Sequence, residues 1–288
     1  MKVTFLGVGD IGFGVAANIA AKGFELTVWN RHIERALPLQ EKGAKVCADL
    51  AEAVCDADVI GMCVIADPDV KELCEAFYPH VKPGAVVFDC TTASPGCAQA
   101  MAKMFAEKNV AFLDTPVSGG KGGANAGTLA VMVGGDKEAF EAARPVLETF
   151  AGRLEYMGPS GAGKSTKLIN QILVAANQTA VCEAMMLAKC AGLDLQQMYG
   201  VASAGYGASR MLDRSVESVI IPRQFDGDTC LYQLAKDLRL GLKMAEDLDC
   251  ELSVARNSHR YYQMAEDIGW GRQDLAAIIK IMEQENEK

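Results

Sequence analysis

Short apolar runs alternate with helical stretches along the first part of the chain. Seven such runs are rich in β-branched, aromatic or other apolar residues: VTFLG, ELTVWN, DVIGMCV, AVVFDC, VAFLDT, LAVMVGG and RLEYM. This alternation is typical of βαβ units arranged around a mainly parallel sheet. The pattern predicts an α/β domain over residues 1–162.

The pattern changes in the second part of the chain. Apolar positions recur at helical spacing through residues 164–190, for about seven turns, and five further helices are predicted at Leu195–Gly200, Ser209–Ser218, Leu231–Asp247, Val254–Asp267 and Asp274–Glu285. One brief strand-like run, Val219–Ile221, is closed by Pro222. We therefore predict an all-helical domain for substrate binding and oligomerisation at 163–288, which begins with a long interdomain helix at 163–191.

Composition and charge limit the number of domains and the classes of partner that fit this chain. Half of the 288 residues are hydrophobic, and the formal net charge is −9. Two well-buried domains fit this length. An acidic chain lacks the clustered Lys and Arg that contact nucleic-acid phosphates, so nucleic acid is not an expected partner and a small molecule is.

The cysteines and the apolar segments bear on the compartment. Ten cysteines occur without a C-x-x-C pair, a poor fit to a disulfide framework or a metal site, so we expect no metal and a reducing cytoplasm. The apolar run Val3–Leu6 leaves no room for a signal peptide before it. Val59–Ala66 is too short for a membrane span, and Leu168–Ala191 is interrupted by polar residues, so no membrane association is expected.

A glycine motif, GVGDIG, follows the first predicted strand and opens a helix. In a dinucleotide-binding Rossmann domain, a glycine at Gly7 makes the tight turn, one at Gly9 lets the pyrophosphate approach, and one at Gly12 lets helix and strand pack. Asp10 and Ile11 begin the helix whose N-terminus attracts the anion. Strand, motif and following strand agree, so we predict a dinucleotide site here; a purely structural turn is the alternative.

The end of the second strand bears on the choice of cofactor. NAD sites commonly have Asp or Glu there, about 20 residues past the glycines, whereas this chain has Asn30, Arg31 and His32. Asn30 can hold a ribose hydroxyl, and the guanidinium of Arg31 suits a 2′-phosphate. NADP is therefore favoured, NAD is possible, and Arg31 as a solvated loop charge is the alternative.

A second glycine-rich segment, GPSGAGKST at residues 158–166, matches the phosphate-loop pattern G-x-x-x-x-G-K-[ST]. It follows the strand-like run RLEYM and opens a helix, so its local context allows a nucleotide triphosphatase or kinase. A phosphate loop also needs a neighbouring strand that supplies an acidic residue for magnesium. The helical sequence downstream has no apolar strand ending in Asp, which disfavours this alternative.

Hydride transfer to a carbonyl needs a proton donor such as His, Lys or Tyr. The three histidines, His32, His80 and His259, fall at positions typical of surface residues. On a helix, Lys167 shares a face with Asn170 and Gln171 through i, i+3, i+4 spacing. Such a lysine, partly desolvated, could serve as general acid/base; a solvated helix face would show the same spacing.

The chain resembles the β-hydroxyacid dehydrogenases, the family of 3-hydroxyisobutyrate dehydrogenase and tartronate semialdehyde reductase, almost from end to end. The likeness rests on four segments: GVGDIG at 7–12, DTPVSGGKGGANAGTL at 114–129 followed by MVGG at 132–135, GAGKSTKLINQ at 161–171, and AKDLRLGL at 235–242. It implies NAD(P)-dependent interconversion of a short β-hydroxyacid and its semialdehyde or ketoacid.

The resemblance also implies roles for individual residues. Ser118, Gly119 and Gly120 would bind the substrate carboxylate, and Lys167, not Lys164, would be the general acid/base. The glycine turn is independently suited to a carboxylate because it presents backbone amides.

Further roles follow from the same resemblance. Asn170 and Gln171 would position substrate and lysine, Lys236 would lie near the nicotinamide and its ribose, and Thr92 and the loop after Val64 would contact the cofactor.

Several alternatives stay open. Tyr232 with Lys236 has the Tyr-x-x-x-Lys spacing of short-chain dehydrogenases, but the pair falls in the helical region, so Tyr232 is interpreted as core packing. A non-catalytic dinucleotide-binding module would bind cofactor without turnover. Ser209, Arg210 and Asp274 are candidates for substrate selection, although Arg210 or Arg214 as surface charges is the commoner case. A homodimer or homotetramer is expected.

Overall fold

The computed structural model describes residues 1–227 and 229–286. The chain divides into two compact units, Met1–Lys167 and Leu168–Lys288, called unit 1 and unit 2 below. The division falls within one long helix, α7 (Ala162–Cys190). The predicted domain boundary, between residues 162 and 163, lies at the beginning of this helix.

Unit 1 is built on a single sheet. Its strands, all within described residues, are β1 (Lys2–Leu6), β2 (Glu25–Trp29), β3 (Lys45–Val46), β4 (Val59–Met62), β5 (Val86–Asp89), β6 (Ala111–Asp114), β7 (Val117–Ser118), β8 (Leu129–Gly134) and β9 (Ala151–Gly158). All seven predicted strands are present. The two that the sequence did not predict, β3 and β7, have two residues each, too few for a period-2 pattern to be recognised.

The strand order is β3-β2-β1-β4-β5-β6-β8-β7, with β9 paired to β8. Strands β1 to β6 pair in parallel, whereas β8 runs antiparallel to β6 and β7. The register places Met62 beside Leu6, Asp89 beside Met62, and Asp114 beside Asp89. The carboxyl ends of the four central strands therefore lie in one row, and the predicted mainly parallel α/β sheet is confirmed.

Helices cover the sheet of unit 1: α1 (Asp10–Ala21), α2 (Leu50–Val54), α3 (Asp67–Phe77), α4 (Pro95–Ala106), α5 (Gly120–Ala126), α6 (Lys137–Leu147) and the beginning of α7. Successive strand residues point to opposite faces. Phe5 and Phe88 accordingly belong to one buried cluster, and Leu6 and Val87 to another. Continuous apolar strands are explained by this burial on both faces.

Among the described residues of unit 2, the regular elements are all helices, apart from one isolated β-bridge between Cys230 and Asp274. After the remainder of α7 come α8 (Leu195–Ala204), α9 (Arg210–Ser215), a π-helical turn (Val216–Ile220), α10 (Leu231–Asp247), α11 (Ser253–Asp267), a 3₁₀ turn (Leu275–Ile278) and α12 (Ile279–Asn286). In α10 the buried residues Leu231, Leu234, Ala235 and Leu238 recur at helical spacing, the signature of a helix with one face in the core. The predicted all-helical second domain is confirmed.

Two local predictions were wrong. The strand-like run Val219–Ile221 overlaps the π-helical turn, because Val216, Val219 and Ile220 are buried in the core of unit 2 at i, i+3, i+4 spacing. Tyr232, interpreted as core packing, is 36% exposed. A short β-branched run does not fix its secondary structure, and an aromatic residue does not fix its own burial, because tertiary packing overrides local preference.

Within the described part of the chain, none of the helices combines the length and apolarity that a membrane crossing requires.

Candidate functional site

Adjacent strands β1 and β4 mark the point where the strand order of unit 1 reverses. In open α/β sheets, ligands bind at such a point, outside the carboxyl ends of the strands. The loops that leave these ends are the glycine loop after Leu6, the loop after Met62, and the turn after Asp89. Most candidate cofactor residues of unit 1 lie on these loops or in the first turn of α1, and Asn30 and Arg31 follow β2.

The glycine loop has the geometry that a close approach requires. Gly7 has φ +86°, and a Cβ there would lie 2.3 Å from the carbonyl oxygen of Cys63. A Cβ on Gly12 would lie 2.0 Å from the carbonyl oxygen of Gly7, so α1 can pack closely against the turn. A Cβ on Gly9 would meet open space. The space over Gly9 is therefore where a ligand can approach the backbone.

Helix α1 begins at this open space. Its N-cap is Gly9, and no side chain among the described residues caps it. The first amides of a helix have no intrahelical acceptor. The helix N-terminus, which includes Asp10 and Ile11, can therefore donate to an anion such as a pyrophosphate, and the residues present fit a dinucleotide.

Asn30 and Arg31 follow β2 at the same edge of the sheet. Asn30 accepts from the Val8 amide through Oδ1 (2.9 Å) and donates to the His32 carbonyl through Nδ2 (2.8 Å). Asn30 therefore stabilises the glycine loop, whether or not it also binds a ribose hydroxyl. Arg31 is exposed, and its Nη2 lies 3.3 Å from Glu72 Oε1; an exposed ion pair of this kind holds the guanidinium weakly.

The loops after β4 and β5 are joined to each other. The Val64 amide donates to Thr91 Oγ1 (3.0 Å), and the Thr91 amide donates to Asp89 Oδ1 (2.9 Å). Thr92, the next residue, is half-buried. The structure thus brings the predicted cofactor residues Val64 and Thr92 onto neighbouring loops at one edge of the sheet.

The predicted carboxylate loop links β7 to α5. Ser118 is half-buried, while Gly119 and Gly120 are exposed and have φ of +137° and +62°. Helix α5 packs against α1, where Asn18 Nδ2 donates to the Ala124 carbonyl (2.8 Å). The carboxylate loop is therefore fixed to the helix that follows the glycine loop.

The N-terminus of α7 is capped by the carboxylate of Asp114. Asp114 accepts from the Gly161 amide through Oδ1 and from the Lys164 amide through Oδ2, both at 2.8 Å. Burial raises the pKa of the Asp114 carboxyl, although these two amides oppose the shift. The carboxylate occupies the helix N-terminus that a phosphate loop would offer to a nucleotide.

Lys164, the lysine of the phosphate-loop pattern, is entirely buried. Its ammonium lies 2.8 Å from Asp89 Oδ2 and donates to the carbonyl oxygens of Asp89 and Thr91. With its ammonium enclosed by these partners, Lys164 is not placed to reach a triphosphate. The phosphate-loop alternative does not fit this geometry.

Lys167 lies one helical turn after Lys164 and is the last residue of unit 1. It is 6% exposed, so the interpretation of this position as part of a solvated helix face is excluded.

In unit 2 a chain of polar contacts joins two of the predicted segments. Asn170 Nδ2 donates to Gln171 Oε1 (3.2 Å), and Gln171 Nε2 donates to Asp237 Oδ2 (2.6 Å). Lys236 Nζ lies 3.1 Å from Asp237 Oδ1. Asp237 is 5% exposed. Sequence reasoning missed Asp237, although its place beside Lys236 in AKDLRLGL was a signal.

Of the three candidates for substrate selection, Asp274 and Ser209 have structural partners in unit 2, and Arg210 is exposed at the beginning of α9. Asp274 is 2% exposed, accepts from the Ala276 amide, and forms a two-bond ion pair with Arg214. Ser209 caps α9 by accepting from the Leu212 amide (3.0 Å). Asp274 therefore does not fit substrate selection, and Arg214 is not a free surface charge.

Among the described residues, no group of three or more His, Cys, Asp or Glu side chains is arranged to hold a metal ion.

The fold and the glycine loop define a dinucleotide-binding protein, and comparison with known families agrees. Residues 2–158 match the NAD-binding domain of 6-phosphogluconate dehydrogenase. Residues 161–282 match the NAD-binding domain of NADP-dependent 3-hydroxyisobutyrate dehydrogenase.

Individual relatives are similar over nearly their whole length. The 2-(hydroxymethyl)glutarate dehydrogenase of Eubacterium barkeri is 28% identical, covering 99% of this chain and 95% of the relative. The NAD-dependent L-serine dehydrogenase of Pseudomonas aeruginosa is 29% identical, covering 98% of each. A structure of Mycobacterium tuberculosis 3-hydroxyisobutyrate dehydrogenase with L-serine superposes with a TM-score of 0.89 at 27% identity, covering 98% of each chain.

The chain belongs to the 3-hydroxyisobutyrate dehydrogenase, or β-hydroxyacid dehydrogenase, family of NAD(P)-dependent oxidoreductases that act on CH–OH groups.

Proposed function

We propose that this protein interconverts a short β-hydroxyacid and its semialdehyde or ketoacid, with NADP as the preferred cofactor and Lys167 as general acid/base. The observation that carries the proposal is the burial of Lys167, which is 6% exposed. Lysine is one of the side chains that exchange a proton with a reacting hydroxyl group, and Lys167 lies on the same helix as Asn170 and Gln171.

The names of the relatives support a substrate class. L-serine and 2-(hydroxymethyl)glutarate, named for two of them, and 3-hydroxyisobutyrate, named for the superposed structure, share the group HOCH₂–CH–COO⁻. The carbon that bears the hydroxyl is bonded directly to the carbon that bears the carboxylate, so the hydroxyl is in the β position. The proposed substrate is an acid of this class, whose oxidation at a primary hydroxyl produces a semialdehyde.

The proposed mechanism divides the work among the chain's residues. A bound nicotinamide supplies the hydride acceptor. Lys167 takes the proton of the substrate hydroxyl during oxidation and returns it during reduction. Ser118, Gly119 and Gly120 bind the carboxylate through the hydroxyl and backbone amides.

Other residues orient these groups. Asn170 and Gln171 position substrate and lysine, and the Asp237 carboxylate orients Gln171 through its 2.6 Å hydrogen bond. Lys236, Val64 and Thr92 contact the cofactor, and Asp10, Ile11 and the three glycines of the loop receive its pyrophosphate.

Turnover of Lys167→Ala tests the general acid/base. We expect kcat to fall by about two to four orders of magnitude, while the Kd of NADPH, measured by fluorescence titration, changes little. Lys103→Ala, which removes an exposed lysine from α4, is the matched control and should be as active as wild type. Near-normal turnover of Lys167→Ala with 3-hydroxyisobutyrate, L-serine or 2-(hydroxymethyl)glutarate would sink the assignment.

The NADP preference rests on Arg31. Its exposed guanidinium at the end of β2 suits a 2′-phosphate. Arg31→Ala should weaken the binding of NADPH about tenfold, as expected for loss of a charge-assisted hydrogen bond, and should leave the Kd of NADH unchanged. Glu72→Ala removes only the partner of Arg31 and should not weaken the binding of NADPH. Equal losses for both cofactors would contradict the preference.

A dinucleotide-binding module without catalysis is the second candidate. It would bind NADPH or NADH but turn over none of the three hydroxyacids, so the same titration and assay separate it from a dehydrogenase.

A homodimer or homotetramer and a cytoplasmic location stay predictions. Light scattering of the purified protein tests the oligomeric state.

A further inference from the structure

Lys164 contributes nothing to the proposed proton exchange, yet its ammonium is completely buried. It forms an ion pair with Asp89 (2.8 Å) and donates to two backbone carbonyls, of Asp89 (3.1 Å) and of Thr91. An ammonium has three N–H donors. All three therefore have acceptors at the end of β5 and in the turn that follows it.

This contact continues to the next loop. Asp89 Oδ1 accepts from the Thr91 amide, and Thr91 Oγ1 accepts from the Val64 amide. A single network thus begins in the first turn of α7, passes through the turn after β5, and ends in the loop after β4. Val64 and Thr92, the proposed cofactor residues, lie on these two loops.

Stability alone is a weak reason for this network. Burying two charges costs free energy that their attraction often fails to exceed, and apolar replacements of buried ion pairs are frequently as stable. The beginning of α7 is already capped by Asp114, so the helix does not need the lysine for its N-terminus. What the ion pair adds is a defined position of the loops relative to the helix.

We propose that Lys164 is a positioning residue for cofactor binding, which holds the loops after β4 and β5 in the conformation that receives the dinucleotide. It acts through Asp89 and Thr91. The inference rests on the proposed cofactor site, and it concerns a residue that the phosphate-loop pattern had assigned to a different chemistry.

The test compares Lys164→Met with the double variant Lys164→Met/Asp89→Asn. The single variant leaves the Asp89 carboxylate buried without its partner, so both stability and cofactor affinity should fall. The double variant removes both charges and should regain most of the stability. Its Kd for NADPH should stay about tenfold weaker, a typical coupling within one hydrogen-bond network. Its KM for the hydroxyacid should be unchanged.

Thr91→Val is a milder variant that keeps the ion pair and the side-chain shape. It removes only the acceptor of the Val64 amide, and we expect a severalfold weaker Kd for NADPH with a folded protein. This variant keeps the inference testable if the charge variants fail to fold.

Lys82→Met is the matched control. Lys82 pairs with Asp58 (2.7 Å), and Asp58 directly precedes β4, at the amino end of the strand. The same chemical change at the opposite edge of the sheet should leave the Kd of NADPH unchanged.

The outcomes separate the two proposals. Recovery of both stability and wild-type Kd in the double variant, or a wild-type Kd in Thr91→Val, would overturn the positioning role while leaving the dehydrogenase intact. If wild type itself binds neither NADPH nor NADH, the proposed function fails, and the positioning role fails with it. A weaker Kd in folded variants, with unchanged KM for the hydroxyacid, supports the inference.

Discussion

Two segments of unit 1 match glycine patterns known from nucleotide-binding sites, residues 7–12 and 158–166, and within the described part of the chain only the first of these two helix starts lacks a side-chain cap. Around residues 7–12, α1 has no side-chain cap from the described residues, and Gly9 adjoins open space. Around residues 158–164, Asp114 caps the beginning of α7, and Lys164 is paired with Asp89. Anion binding by a helix N-terminus requires amides that the protein has not already satisfied. A glycine-rich helix start is therefore available to a ligand in one place and is used for internal packing in the other.

The largest effect is expected where the second segment is most tightly packed. A Cβ on Gly163 would lie 2.4 Å from the Met132 carbonyl oxygen and 2.6 Å from that of Asp114. Gly163→Ala should lower the free energy of unfolding by about 3 kcal/mol, because backbone atoms must move. Urea denaturation measures it. A variant as stable as wild type would remove the contrast between the two segments.

Loss of the cap comes next. Asp114→Ala leaves the amides of Gly161 and Lys164 without their acceptor and should cost about 2 kcal/mol of unfolding free energy. It should not create a nucleotide site: ATP with magnesium should leave the thermal midpoint unchanged, because Lys164 remains paired with Asp89. Stabilisation by ATP would show that the cap alone separates the two segments.

The pH dependence of the cap can be measured separately. Since burial raises the pKa of the Asp114 carboxyl, the folded state binds the proton more tightly than the unfolded chain, where Asp has a pKa of about 3.9. The contribution of Asp114 to stability is therefore greatest at low pH and falls as pH rises from there to the raised pKa. The difference in unfolding free energy between wild type and Asp114→Asn should decrease over that window and then stay constant. An increase would mean that the two backbone hydrogen bonds outweigh burial.

The smallest effect on folding is expected at the open segment. Gly9→Ala adds a methyl group to empty space, so the stability of the protein should be unchanged. The methyl would occupy the proposed path of the pyrophosphate, and the Kd of NADPH should rise about tenfold, or about 1.4 kcal/mol. Unchanged affinity would place the dinucleotide elsewhere.

The sequence predicted more of the fold than of the site. Strands β1, β2, β4, β5, β6, β8 and β9 and the helices of unit 2 follow from apolar periodicity, which is strong in long elements. Periodicity also placed Lys167 with Asn170 and Gln171 on one helix, but it could not distinguish a buried lysine from a solvated one. Asp237 was missed, because its bond to Gln171 joins residues 66 positions apart.

By itself, the sequence determined the succession of strands and helices along the chain, the glycine loop after β1 and the length of α7. Each of these depends on residues that are neighbours in the sequence. Only the tertiary structure decided which glycine-rich helix start is open. Asp114 lies 50 positions from the Lys164 amide that it caps, and Asp89 lies 75 positions from the Lys164 ammonium. Whether an amide or a charge is available to a ligand depends on such distant partners, since burial and hydrogen bonding are set by packing and not by local spacing.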